Sequence, residues 1–101
     1  MTESIKDRGW TFFTNHAHVL LCLSQCSNAR LRDIANKVGI TERAVHKIVS
    51  DLENEGIIVR RREGRRNHYQ INTGMPLRHP MEAHCSVGQI IETILKPTKK
   101  N

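Results

Sequence analysis

The sequence predicts one α+β domain in which three helices are followed by a two-stranded β-hairpin and then a further helix. Three observations carry that prediction. Apolar residues recur at helical spacing in consecutive stretches between Val19 and Leu52. The period then drops to two across IIVRRR and HYQIN, which flank the turn-prone EGRRN. Beyond TGMP a helical stripe returns as Val87, Ile90, Ile91, Ile94 and Leu95. The 101 residues suffice for one compact domain and not two.

Thr14 stands where an N-cap would start a first helix running to about Gln25. Val19, Leu20 and Leu23 share one face, and Leu21 and Cys22 are apolar too, so burial on most sides is expected. Trp10, Phe12 and Phe13 hold three of the four aromatic residues, and the expectation is that they pack as core or as a subunit contact. A second helix fits residues 31–38, with Leu31, Ile34, Ala35 and Val38 inward. A third fits Glu42 to about Glu55, with Val45, Ile48, Val49 and Leu52 inward and Gly56 as its stop signal. The hairpin spans about 57–72. The last helix is expected from about Pro80 to Leu95, with Pro97 ending it. The chain therefore divides into a flexible tail at 1–9, a helix-and-hairpin domain at 10–75, a C-terminal helical segment at 76–96 and a second tail at 97–101.

Composition narrows the class of function. At 38% hydrophobic and 26% charged the chain reads as globular. The longest apolar run, Val19 to Leu23, is far short of the ~18 residues a membrane span needs. MTESIKDRGW lacks the apolar segment of a signal peptide, so a cytoplasmic protein is expected. Cys22, Cys26 and Cys85 suit reduced thiols there. No glycine-rich phosphate loop and no nucleophile–base grouping is visible, so no enzyme activity and no cofactor is expected.

The stretch DIANKVGITERAV explains itself as two helices meeting at a steep angle. Ala35 is small where a larger side chain would push the helices apart. Gly39 supplies a left-handed backbone at the turn, and Thr41 can accept a hydrogen bond from an early amide of the next helix. Ile40, Val45 and Ile48 lock that helix to the first. This is a helix-turn-helix pattern. The charge then falls where a DNA-binding version would want it. Net charge is +6, and Arg60, Arg61, Arg62, Arg65 and Arg66, less Glu63, supply +4 of it within seven residues at the hairpin. A concentrated basic patch on a small domain points to a polyanion. A helix-turn-helix followed by a basic hairpin is the order of a winged helix, with the second helix of the motif in the major groove and the hairpin on the adjacent backbone or minor groove.

LRDIANKVGITERAVHKIVSDLENEGIIVRRREGRRNHYQI resembles the winged helix-turn-helix regulators of the MarR and ArsR type. WTFFTNHAHVLLCL, GITERAVHKIVSDLE, GRRNHY and PLRHPMEAHCSVG together are similar to a group of small stand-alone bacterial regulators of this class, over about residues 10–95. What the resemblance implies is a homodimeric transcriptional regulator binding double-stranded DNA, with any small-molecule effector unidentified.

The candidate base-reading residues are Thr41, Glu42, Arg43, His46, Lys47 and Ser50, which point outward on the third helix. Glu42 can instead complement the helix N-terminus. Arg32 and Lys37 are weaker backbone candidates. In the hairpin, alternation sends Arg60 and Arg62 to one face and Arg61 to the other, and Arg65 and Arg66 are expected at the tip, with Arg62 the next contact. Val87, Ile90, Ile91, Ile94 and Leu95 form a stripe expected to pair with a partner chain, the alternative being packing on the first helix. A rival class is a metal or thiol sensor using Cys22 and Cys26, or His79, Glu82, His84 and Cys85. The third helix holds no paired cysteines, His79 and His84 are badly spaced for one helical face, and Cys22 sits inside VLLCL as a small hydrophobe, so no metal site is assigned. RNA binding by the same basic face is the other rival, disfavoured because the aromatics lie away from the wing.

Overall fold

A computed structural model describes residues 9–96 and places α1 (Asn15–Gln25), α2 (Leu31–Val38), α3 (Glu42–Asn54), β1 (Ile58–Glu63), β2 (Arg66–Ile71) and α4 (Val87–Leu95) in chain order. The class and the order of elements are those expected. The hydrophobic pattern dictates the packing: Val19, Leu20 and Leu23 of α1, Ile34, Ala35 and Val38 of α2, and Val45, Ile48, Val49 and Leu52 of α3 all turn inward. Ile57, Ile58, Tyr69 and Val87 extend this core into the hairpin and α4. Leu21 and Cys22 are only half-buried, so α1 presents a narrower apolar face than its composition implies. Thr14 occupies the N-cap position but its side chain makes no capping bond. Its carbonyl accepts the amides of Ala17 and His18.

The turn between α2 and α3 forms as its residues dictate. Gly39 adopts φ +90°, and the amides of Gly39 and Ile40 both donate to the Ala35 carbonyl, at 2.8 and 3.0 Å. The Thr41 hydroxyl accepts from the Ala44 amide at 3.0 Å and so caps α3. No atom lies within 4 Å of where a Cβ on Gly39 would stand, so Gly39→Ala meets no clash. Its cost is the left-handed backbone alone, about 1–2 kcal/mol for an L-residue. Chemical denaturation should show that loss, and an unchanged midpoint would show that the turn relaxes to another geometry.

The hairpin is antiparallel, with Ile58 opposite Ile71 and Glu63 opposite Arg66. Its loop is therefore two residues, Gly64 and Arg65, shorter than the five-residue turn expected from EGRRN. Arg66 belongs to β2 and not to the tip, because the ladder closes one pair further than turn-forming residues alone suggest. Ile58, Arg60 and Arg62 share one face with Ile71, Tyr69 and Asn67, as strand alternation requires. The Tyr69 amide donates to the Ser27 carbonyl at 2.8 Å, which ties β2 to the loop between α1 and α2.

At the ends of the domain one expectation is corrected and one is narrowed to its second alternative, a subunit contact. The last helix begins at Val87 and not near Pro80. Ser86 and Gln89 form a reciprocal capping box that starts it, while a bridge between Pro76 and Ser86 holds the preceding segment in turns. Within that segment the amide of Leu77 donates to Cys85, that of Glu82 to His79 and that of Cys85 to Glu82, so it is held by turn hydrogen bonds and not by a helix. Trp10, Phe12 and Phe13 are not core: they are 73%, 91% and 42% exposed. Gly88, unremarked in the sequence, is where α4 touches Thr73. A Cβ there would stand 2.8 Å from Thr73 Cβ, and the Gly88 amide donates to the Thr73 carbonyl at 2.9 Å. Pro97, expected to end the last helix, and most of the N-terminal tail lie outside the described residues.

Candidate nucleic-acid interface

The outer face of α3 is set by the inner one. With Val45, Ile48, Val49 and Leu52 buried, helical geometry leaves Thr41, Glu42, Arg43, His46, Lys47 and Ser50 exposed along the opposite side. Their side chains are not equally available. Glu42 and His46 approach to 3.9 Å one turn apart. Lys47 Nζ donates to Asp51 Oδ1 at 2.8 Å, and the other carboxylate oxygen of Asp51 bonds His16 Nε2 of α1 at 2.9 Å. The Lys47 and His16 hydrogen bonds hold the Asp51 carboxyl below the usual carboxylate range. The stability they give is therefore present above that range and lost as pH falls through the lowered value. Arg43 has no ion pair or side-chain hydrogen bond among the described residues, which leaves its guanidinium open to a base edge or phosphate.

The arginines of the hairpin divide in the same way. Arg60 Nε pairs with Glu53 of α3 at 3.2 Å and braces the hairpin on that helix. Arg62 Nε donates to the Gly64 carbonyl at 3.1 Å and stiffens the turn. Arg66 Nη1 donates to the Asn28 carbonyl at 2.8 Å, reaching back to the loop between α1 and α2. Arg61, on the other face opposite His68, and Arg65 at the tip are left without such partners among the described residues. His68 pairs instead with Glu63 at 3.3 Å. Five clustered arginines thus resolve into three that build the wing and two that project from it. Arg30, exposed at the N-cap of α2, is a further cation near this surface that sequence reasoning passed over. Its signal was its position immediately before the motif's first helix. Of the weaker candidates, Arg32 is exposed and Lys37 Nζ donates to Gln25 Oε1 at 3.3 Å.

Residues 14–59 match the family model described as winged helix-turn-helix DNA-binding. The fold is a winged helix-turn-helix. Solved structures with this winged helix-turn-helix shape agree. One is described as a predicted DNA-binding transcriptional regulator from E. coli, with a TM-score of 0.59 and 19% identity over 82% of this chain and 76% of that one. Another is the PcaV transcriptional regulator from Streptomyces coelicolor in complex with its natural ligand, with a TM-score of 0.53 and 21% identity over 86% of this chain and 63% of that one. No curated protein sequence matches the chain significantly. Within the winged helix frame, α3 is the second helix of the helix-turn-helix and the β1–β2 hairpin the wing.

The stripe assigned to a partner chain is split by the fold. Val87 is buried in its own chain's core and Ile91 packs against that core, while Ile90 and Leu95 are half-buried and Ile94 is exposed. Cys22 is half-buried, and burial raises its thiol pKa while Lys37 partly offsets the rise, which disfavours a reactive thiolate. Among the described residues no three His, Cys, Asp or Glu side chains gather as a metal site would require. No helix among them is long and apolar enough to cross a membrane.

Proposed function

We propose that this chain is a sequence-specific transcriptional regulator that binds an inverted-repeat duplex as a homodimer, one recognition helix per half-site. The observation that carries the reading is the division of α3 into a wholly buried face and an exposed polar one that includes Arg43, which has no ion pair among the described residues. A helix holding one face in the core and offering Thr41, Glu42, Arg43, His46, Lys47 and Ser50 on the other can lay that face in a major groove. Arg61 and Arg65 then meet phosphates beside it. Half-site centres stand about 10 base pairs, or a multiple, apart. Occupancy of a site near a promoter is the mode of action, and Ile90, Ile94 and Leu95 contribute to the surface between protomers.

Enrichment of genomic DNA fragments on the purified protein, followed by affinity against salt, tests this reading. A shared palindrome bound far more tightly than random duplex is the expected result. Absence of any duplex binding would overturn it. Weak, uniform, steeply salt-dependent binding would indicate a non-specific binder or a regulator lacking its effector.

The wing gives a sharper test. Arg65→Ala is expected to lower the slope of log affinity against log salt by roughly one phosphate contact per protomer. Arg66→Ala removes the tie to Asn28 and should lower affinity with less change in that slope, because Arg66 is engaged on its own chain. Equal slope changes in the two variants would mean that Arg66 leaves Asn28 to meet DNA.

A further inference from the structure

The exposed aromatic segment stands beside a largely apolar hollow that the described residues do not fill. The hollow encloses about 590 Å³ between the start of α1, the end of α3, the 76–85 segment and α4. Its walls include Phe13, Ala17, Leu20, Leu52, Leu77 and Ile90. Its lining also carries His16, Asp51, Glu55, Arg78, Glu82 and His84, while most of its exposed wall area is apolar. At its edge Phe12 is 91% exposed and Met81 80%; Trp10, which stands against Phe12, is 73% exposed. Trp10 and Phe12 are paired edge to face, ring centres 5.5 Å apart, as a preformed two-ring unit. Such an apolar cluster on a small domain marks an interaction surface.

We propose that the Trp10–Phe12 pair of one protomer enters the hollow of a second copy, and that the exchange is reciprocal. The inference rests on the homodimer reading and says where that dimer is anchored. A twofold contact requires one patch to be complementary to itself, and this patch carries both parts: the projecting ring pair and the apolar hollow, with Phe12 itself on the rim. The partner's rings would fill the hollow, and among the described residues Trp10 and Phe12 remain largely exposed in their own chain. Paired aromatics entering an apolar recess are the usual anchors of a protein interface. The half-buried and exposed residues of α4, Ile90 and Ile94, continue the contact from one wall of the recess.

The chain holds a single tryptophan, so Trp10 fluorescence reports this contact without interference. Sedimentation and emission are followed together across a dilution series of the full chain. The expected result is a dimer whose Trp10 emission is blue-shifted and moves to the red as dilution yields monomer. Phe12→Ala, which removes an exposed side chain and should leave the far-ultraviolet circular dichroism unchanged, should weaken the dimer at least about thirtyfold, as loss of an anchor residue does. Ala17→Phe, which narrows the hollow from within, should weaken it too. A dimer whose Trp10 stays solvent-exposed would overturn the exchange and leave the homodimer standing. Absence of any dimer would overturn both. Blue-shifted emission that does not change with concentration would place the rings in their own chain's hollow and also overturn the proposal.

Discussion

Arg43→Ala is expected to weaken binding to the preferred duplex by roughly five- to 150-fold per half-site, the range that one bidentate base contact contributes. Both protomers carry the change, so for a dimer the losses compound across the palindrome. Arg43 is chosen over its neighbours on physical grounds. Lys47 is held by Asp51 at 2.8 Å, and Glu42 and His46 face each other along the helix. Moving Lys47 to DNA means giving up that ion pair, which offsets part of any gain. Arg43 gives up nothing. Binding to random duplex should fall much less, by the value of one phosphate contact at most, so the ratio of specific to non-specific affinity is the informative readout. If Arg43→Ala weakens every duplex equally, Arg43 is a backbone contact and base reading falls to Thr41, His46 or Ser50. Unchanged affinity for both would remove Arg43 from the interface. Lys47→Ala supplies the comparison: its expected loss is smaller, and it frees Asp51 to His16 alone.

How far the sequence could carry such distinctions depended on the range of the interaction involved. The α2–α3 turn was legible because its determinants are local: Ala35, Gly39 and Thr41 act within a few residues of themselves, and each does in the structure what its side chain or backbone dictates. The outward face of α3 was legible for the same reason, since a 3.6-residue period fixes both faces at once. What could not be read were pairings across distance. Arg66 was expected at the wing tip, but its partner is Asn28, 38 residues away. Arg60 turns to Glu53, and the aspartate that Lys47 pairs with one turn on is also bonded, through its other oxygen, by His16 of another helix, 35 residues away. A run of arginines in a sequence shows how much charge is present and not which charges are already matched. The start of α4 was missed for a different reason. The stripe of Val87, Ile90 and Ile91 was correct, but the Ser86–Gln89 capping box, a local signal, was overlooked in favour of extending the helix upstream through PMEAHC. Trp10, Phe12 and Phe13 were expected in the core or at a subunit contact, and hydrophobicity alone does not separate these two. The structure separates them: Leu20, Leu52 and Val87 are buried in the core, while Trp10, Phe12 and Phe13 stand outside it.

The other large effect should come from Tyr69, the residue through which the wing is fastened to the helices. It is 4% exposed, lies on the hairpin face shared with Ile58 and Ile71, and its amide binds the Ser27 carbonyl. A two-stranded hairpin is marginal by itself, so the wing's geometry is borrowed from this contact and from Arg60 and Arg66 around it. Tyr69→Ala removes a buried aromatic side chain and is expected to cost about 3–5 kcal/mol, a large share of the stability of a domain this size. Tyr69→Phe keeps the ring, and the hydroxyl has no hydrogen-bond partner among the described residues, so it should cost less than about 1 kcal/mol. Urea denaturation of both variants measures the difference. The consequence for DNA is separable from unfolding. At temperatures where Tyr69→Ala remains folded, its salt slope should fall at least as far as that of Arg65→Ala, by up to roughly two contacts per protomer, because a loosened wing no longer holds Arg61 and Arg65 against phosphate. If Tyr69→Ala loses stability but keeps the full salt slope, the wing arginines act without a fixed platform. If Tyr69→Phe proves as costly as Tyr69→Ala, the hydroxyl and not the ring secures the hairpin. The expected pattern, a ring-dependent anchor beneath a projecting arginine, makes the hydrophobic core the direct support of the phosphate-binding tip.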